Sequence, residues 1–148
     1  MGAMRSRLAH LLLLLPFWHS PSFAQCAPAP DSPYFFRNLA ELRAEAKLRV
    51  DRAFYEKLLS ETFAGKGRDG KALPKGEFIE YELAKHVESR DGYYAVRNFS
   101  LVEHRKGLAI TRYLLVEDAR ETWQRETFEV QDGQWRLVSV EAHPPSDE

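Results

Sequence analysis

Four long runs of strand-like alternation near the C-terminus, joined in pairs by two tight turns, restrict this chain more than any other feature. Tyr94–Arg105 and Leu108–Glu117 flank Lys106-Gly107, while 122–131 and Gln134–His143 flank Asp132-Gly133. A two-residue hairpin loop needs positive φ at its centre, which Asp-Gly supplies with little strain, so the turns set antiparallel pairs. The register of the second hairpin follows from its side chains. With Asp132-Gly133 as the loop, Val130 faces Trp135, Glu129 faces Arg136 and Phe128 faces Leu137. Carried outward, the same register sets Glu126 against Ser139, Gln124 against Glu141 and Thr122 against His143. One face then begins apolar and ends polar.

The preceding half is helical. Leu39, Leu42, Ala46, Val50, Ala53/Phe54 and Leu58 recur at three- and four-residue steps, which predicts one long amphipathic helix from Asn38 to about Thr62. Phe63–Gly76 holds four glycines and a proline and reads as a turn-rich stretch, followed by a short helix over Glu77–Val87. Helices first and a strand meander after give an α+β fold, with helices against one face of a curved antiparallel sheet.

The front of the chain reads differently. Arg5 and Arg7 precede the apolar run Leu11–Leu15, and Ser22-Phe23-Ala24 provides small residues for cleavage before Gln25. This pattern predicts a secretory signal peptide over residues 1–24 and a periplasmic or secreted protein. The run is shorter than the roughly 20 residues that a membrane span needs, so no stable anchor is expected after cleavage. Residues 25–37 are Pro-rich and read as an extended leader, which carries the lone Cys26; Phe23-Ala24-Gln25 lacks the small residue expected directly before a lipidated Cys. A domain over residues 38–143 and a frayed tail over 144–148 complete the layout. Removing residues 1–24 takes away Arg5 and Arg7 and no acid, which moves the formal net charge from −1 to −3. A mildly acidic domain lacks the basic footprint of a nucleic-acid binder.

Several segments together resemble a known family. Asp51 lies ahead of Leu58-Leu59 and Phe63; Asp69-Gly70-Lys71, Glu77-Phe78-Ile79 and Gly107-Leu108-Ala109-Ile110-Thr111 follow, and Asp132-Gly133-Gln134-Trp135-Arg136-Leu137-Val138 closes the set. The chain resembles the SnoaL-like, domain-of-unknown-function branch of the nuclear-transport-factor-2-like superfamily over residues 38–143. The resemblance implies a cone-shaped α+β roll, a curved sheet wrapped around a long N-terminal helix, often dimeric through the sheet's outer face. The ketosteroid isomerase branch would place its general base at Gly67 and its helix phenol at Arg43. Neither residue can perform that role, which argues against isomerase chemistry.

The candidate chemistry is confined to a few residues. In the expected register Glu126 and Glu141 are diagonal neighbours about 7–8 Å apart, and His143 is two residues further along the same face. Two carboxylates and an imidazole at the mouth of an apolar pocket can divide acid and base roles. Asp51, Tyr55 and Tyr113 complete the candidate lining of a ligand pocket. Gly65–Lys71 matches a phosphate-loop pattern only superficially, because no strand-turn-helix unit surrounds it. The His residues are scattered, and two of the five, His10 and His19, fall in the signal peptide, so neither metal nor other cofactor is expected. Asn98-Phe99-Ser100 is an N-glycosylation pattern relevant only to a eukaryotic secretory route.

The sequence therefore reads as a secreted or periplasmic module that binds a hydrophobic small molecule or assembles as a homodimer through its sheet face, without a catalytic set. One alternative is a lyase or isomerase acting on a hydrophobic carbonyl compound through Glu126, Glu141 and His143. Another is an interaction module that uses Trp123, Val138 and Val140 on the sheet face to hold a different protein.

Overall fold

A computed structural model describes residues 30–66, 69–84 and 93–145. The expected signal peptide and Cys26 lie outside the described residues, as does the end of the helix expected over Glu77–Val87. Among the described residues nine elements follow one another: α1 Pro33–Leu48, α2 Arg52–Leu58, β1 Leu59–Lys66, β2 Ala72–Pro74, α3 Lys75–Ala84, β3 Tyr94–Arg105, β4 Leu108–Glu117, β5 Arg120–Gln131 and β6 Gln134–His143. The six strands form one sheet in the order β2-β1-β6-β5-β4-β3. All pairs are antiparallel except β1 with β6, which run parallel. The α+β expectation and both glycine hairpins stand. A third tight turn, Asp118-Ala119, joins β4 to β5 with positive φ at both residues.

The first helix starts earlier and stops sooner than its apolar spacing predicts. Ser32 caps it by accepting from Phe35 N, and Pro33 occupies the first turn, where its missing N–H has no helical partner to lose. The domain thus begins ahead of Asn38, and the end of the supposed leader belongs to it: Phe36 is fully buried. At the other end Val50 takes φ 55°, and its amide and that of Asp51 bond back to Lys47 and Ala46 carbonyls, which closes α1. Asp51 then caps α2 by accepting from Phe54 N at 3.0 Å. An αL residue and a new N-cap in succession break what the periodicity reads as a single helix.

Beyond Leu58 the chain is extended rather than helical. β1 lies between β2 and β6, where its backbone groups find partners distant in sequence. That pairing turns half of the supposed turn-rich stretch into strand, 63–66 in β1 and 72–74 in β2. Gly65 lets α3 approach, since a Cβ there would lie 2.7 Å from Phe78 Cδ2 and 3.0 Å from the Phe63 ring. Phe63 and Phe78 rings pack 4.7 Å apart beside it, and Phe36 meets Trp135 edge-on at 5.1 Å and Phe128 at 5.4 Å. The core between helices and sheet is completed by Tyr55, Leu59, Ile79, Ala109, Leu137 and Val140.

The face of α1 that enters this core is only partly the expected one. Ala46 is buried and Leu39 packs against the core as the stripe requires, but Leu42 and Val50 are exposed, and Phe36, Ala40, Arg43 and Lys47 are buried instead. The last hairpin also departs from its simple register. Val130–Trp135, Glu129–Arg136 and Phe128–Leu137 pair as the side chains require, but Thr127 then faces Ser139. Val138 is an extra residue in β6, a bulge that moves every later pair by one: Glu126 faces Val140, Arg125 faces Glu141 and Trp123 faces His143.

Two substitutions test this account of the fold. Asp51→Ala should lower the unfolding free energy by about 1 kcal/mol, with Asp51→Asn close to the parent, because only the capping oxygen is at stake. Gly65→Ala should cost about 1–3 kcal/mol through overpacking against Phe63 and Phe78. Urea unfolding of residues 25–148 measures both.

Candidate functional site

Inside the cone, α1 presents Arg43 and Lys47 one turn apart toward the sheet, and each finds a carboxylate there. Arg43 Nη1 lies 3.0 Å from Glu126 Oε1, and Nη2 donates to the Tyr113 hydroxyl at 3.1 Å. That hydroxyl donates in turn to Glu126 Oε1 at 2.7 Å. Lys47 Nζ lies 2.9 Å from Glu117 Oε1 and 4.0 Å from Glu82 Oε2 of α3. Tyr94 donates to Glu117, and Lys47 sits 5.0 Å over the Tyr94 ring. Tyr55 donates to the Arg43 carbonyl at 3.3 Å, tying α2 to α1.

Burial governs the electrostatics of this cluster. Desolvation by itself would lower the Arg43 pKa, but the Glu126 carboxylate, with Tyr113 and Glu82, outweighs it and holds the guanidinium charged above its ordinary range. The Tyr113, Tyr55 and Tyr94 phenols are all pushed up, first by burial. Glu126 adds to the effect at Tyr113, Glu82 at Tyr55 and the hydrogen bond to Glu117 at Tyr94. Phenols held this firmly are poor proton donors near neutral pH. The cavity beside the cluster, lined by Ala40, Arg43, Lys47, Glu82, Tyr94 and Tyr113 among others, measures about 10 Å³. That is room for roughly one water.

The structure separates the residues expected to share a pocket. Glu126 and Tyr113 point into the cone and are engaged with Arg43. Because Val140 pairs with Glu126 and is buried beside it, Glu141 and His143 fall on the opposite face of the sheet. The bulge at Val138 is the reason, since one inserted residue exchanges the two faces of all that follows. Asp51 is an exposed cap with its oxygen on Phe54 N, and Tyr55 lies at the core, so the two do not form a joint site. Val140, expected on the interaction face, is buried in the core.

Sequence reasoning missed Arg43, Lys47, Glu82, Tyr94 and Glu117. A signal was present in part, for Phe36, Ala40, Arg43 and Lys47 follow helical spacing as well as the apolar set does. Their charges read as a solvated face because the carboxylates that neutralise them lie at least 35 residues away in sequence, on other elements.

A larger space opens on the sheet's outer face. It is a groove of about 380 Å³ lined by Val102, Arg112, Trp123, Arg125, Glu141 and His143, together with Ser100, Gln124 and Pro144. Arg112 and Arg125 are directly opposed across β4 and β5, and Glu141 opposes Arg125 from β6. The Arg112 guanidinium lies 4.4 Å over the Trp123 ring, and His143 Nε2 is 3.8 Å from Glu141 Oε2. Among the described residues no three His, Cys, Asp or Glu side chains gather to hold a metal ion.

A curved sheet enclosing helices, with a charged cluster inside and a groove outside, defines an α+β cone. Comparison with known proteins gives that cone its name. No family model and no curated protein matches the sequence. Solved structures do match. A Caulobacter vibrioides protein with a cystatin-like fold superposes with a TM-score of 0.65 at 10% identity, over 75% of this chain and 89% of its own. A Streptomyces avermitilis protein of the NTF2-like family, described only provisionally as a dehydratase, gives 0.62 at 14% identity over 78% and 98%. The association domain of the Caenorhabditis elegans calcium/calmodulin-dependent kinase II gives 0.60 at 12% identity over 72% and 91%. The chain therefore has the nuclear-transport-factor-2-like fold.

The interior cluster yields two predictions. Arg43→Met should cost about 3–5 kcal/mol by stranding Glu126 as a buried charge, and adding Glu126→Leu should recover much of that loss. A double-mutant cycle by urea unfolding measures the coupling. Raised phenol pKa values mean that the folded chain keeps protons which the unfolded chain releases near pH 10. Stability is thus fully present below about pH 10 and should fall as pH rises beyond it, a decline that Tyr55→Phe should reduce in urea titrations at pH 8 to 11.

Proposed function

We propose that this chain is a non-catalytic binding module of the nuclear-transport-factor-2-like fold, exported to the periplasm or beyond, which holds a small molecule in the groove on the outer face of its sheet. The contrast between the two spaces carries this reading. The cone holds paired charges around a cavity of about 10 Å³, whereas the outer groove offers about 380 Å³. Small-molecule sites are commonly clefts of about 300–1,000 Å³. The lyase or isomerase alternative needs Glu126, Glu141 and His143 to converge, and they occupy opposite faces of the sheet. Within the fold, the Asp132-Gly133-Gln134-Trp135-Arg136-Leu137-Val138 hairpin supports the SnoaL-like branch.

Homodimeric assembly through the same face is the second reading, favoured by the half-exposed Val102 beside Trp123 at the groove. Native mass spectrometry of protein exported to a bacterial periplasm separates the two. A single copy beginning at Gln25, with a small adduct that Trp123→Ala loses, supports the binding module. A dimer without adduct supports assembly, and an adduct kept by Trp123→Ala but lost on Arg43→Met would return the site to the cone.

A further inference from the structure

We infer that the small cavity inside the cone is a binding site for one water molecule, which joins Glu82 of α3 to the cations of α1. The site is independent of whatever the outer groove holds. Two buried charged side chains line this cavity with hydrogen-bonding capacity to spare. Glu82 makes no hydrogen bond among the described residues, and its ion pair with Lys47 spans 4.0 Å. Its charge nevertheless acts on Arg43 and on the Tyr55, Tyr94 and Tyr113 phenols, so it stands close to all of them. Arg43 Nη1 lies 3.0 Å from Glu126 Oε1 but has no hydrogen-bond partner among the described residues. Buried charges with unmet hydrogen bonds are costly, and a bridging molecule removes that cost.

Size and chemistry both select water. A cavity of about 10 Å³ is close to the least that holds a water and is too small for an organic group. Polar partners further apart than about 3.5 Å are the kind that a water bridges, and Lys47 with Glu82 is such a pair. A buried water typically makes about three hydrogen bonds to polar groups that have no other partner. Here it accepts from Arg43 Nη1 and Lys47 Nζ and donates to a Glu82 oxygen. A halide would be repelled by that carboxylate and an ammonium by the two cations, whereas water serves donors and acceptor alike. The Tyr94 and Tyr113 hydroxyls do not compete, because they are committed to Glu117 and Glu126. The bridge thus ties α3 to the cations of both interior ion pairs on α1.

A high-resolution crystal structure of the exported protein, soaked in bromide, and oxygen-17 relaxation dispersion in solution test this together. The density should show one water about 2.7–3.2 Å from Glu82 and from Arg43 Nη1 or Lys47 Nζ, without anomalous signal. In solution the parent should show long-lived internal water, and Glu82→Leu should lose the amplitude of one molecule. Glu82→Gln keeps an acceptor oxygen and should keep that amplitude. Ala44→Val fills the cavity from α1 with every charge in place and should lose it too, whether or not Glu82→Leu folds. The indole signal of Trp135, packed against Phe36, reports that each variant is folded. A direct Glu82–Lys47 hydrogen bond with no density between the helices would overturn the inference, as would bromide in the cavity. Equal amplitudes in the parent and Ala44→Val would overturn it as well.

Discussion

The ion pair between Arg43 and Glu126 organises this structure. It joins the middle of α1 to the middle of β5 through a medium with almost no access to water, and Tyr113 bonds both partners. Charges buried this deeply are costly unless they are paired, so the pair restricts how the helix can lie in the cone, and among the described residues Arg43 Nη1 and Glu126 Oε2 still lack a hydrogen-bond partner. Lys47 and Glu117 repeat the device one turn along α1, and Glu82 of α3 borders the same group. Among the described residues the cavity beside this cluster measures about 10 Å³, and the side chains around it are committed to internal charge balance.

The bulge at Val138 has comparable influence on the other face. Without it β6 would carry Glu141 and His143 into the cone alongside Glu126, assembling the polar mouth that the hairpin suggests. With it Val140 and Ala142 turn inward, and the carboxylate and imidazole join Arg112, Trp123 and Arg125 outside. One additional residue thus decides whether this protein has an acid/base pocket or an external groove. The neighbouring structures share only the fold, which hosts unrelated activities, so chemistry must be argued from the side chains present.

What was legible in the sequence follows the range of the interactions involved. Lys106-Gly107 and Asp132-Gly133 act on adjacent residues, and strands β3, β4 and β6 end where those turns and the flanking alternation place them. The break at Val50-Asp51 was harder to read, since apolar spacing continues through it and only the capping chemistry of Asp51 marks a new helix. β1 was invisible because its partner β6 lies about 75 residues downstream and pairs in parallel.

By itself the sequence determined an α+β chain with helices ahead of an antiparallel meander, together with the turns and the first three pairs of the last hairpin, since these depend on local geometry and side-chain period. Tertiary structure alone decided which face of α1 is buried, because Arg43 and Lys47 can enter a core only once Glu126 and Glu117 are brought to meet them. It also decided on which side of the sheet Glu141 and His143 lie. A bulge of one residue costs little locally, but it is selected by packing Val140 rather than Glu141 against the core, and that choice exists only when the whole sheet has closed around its helices.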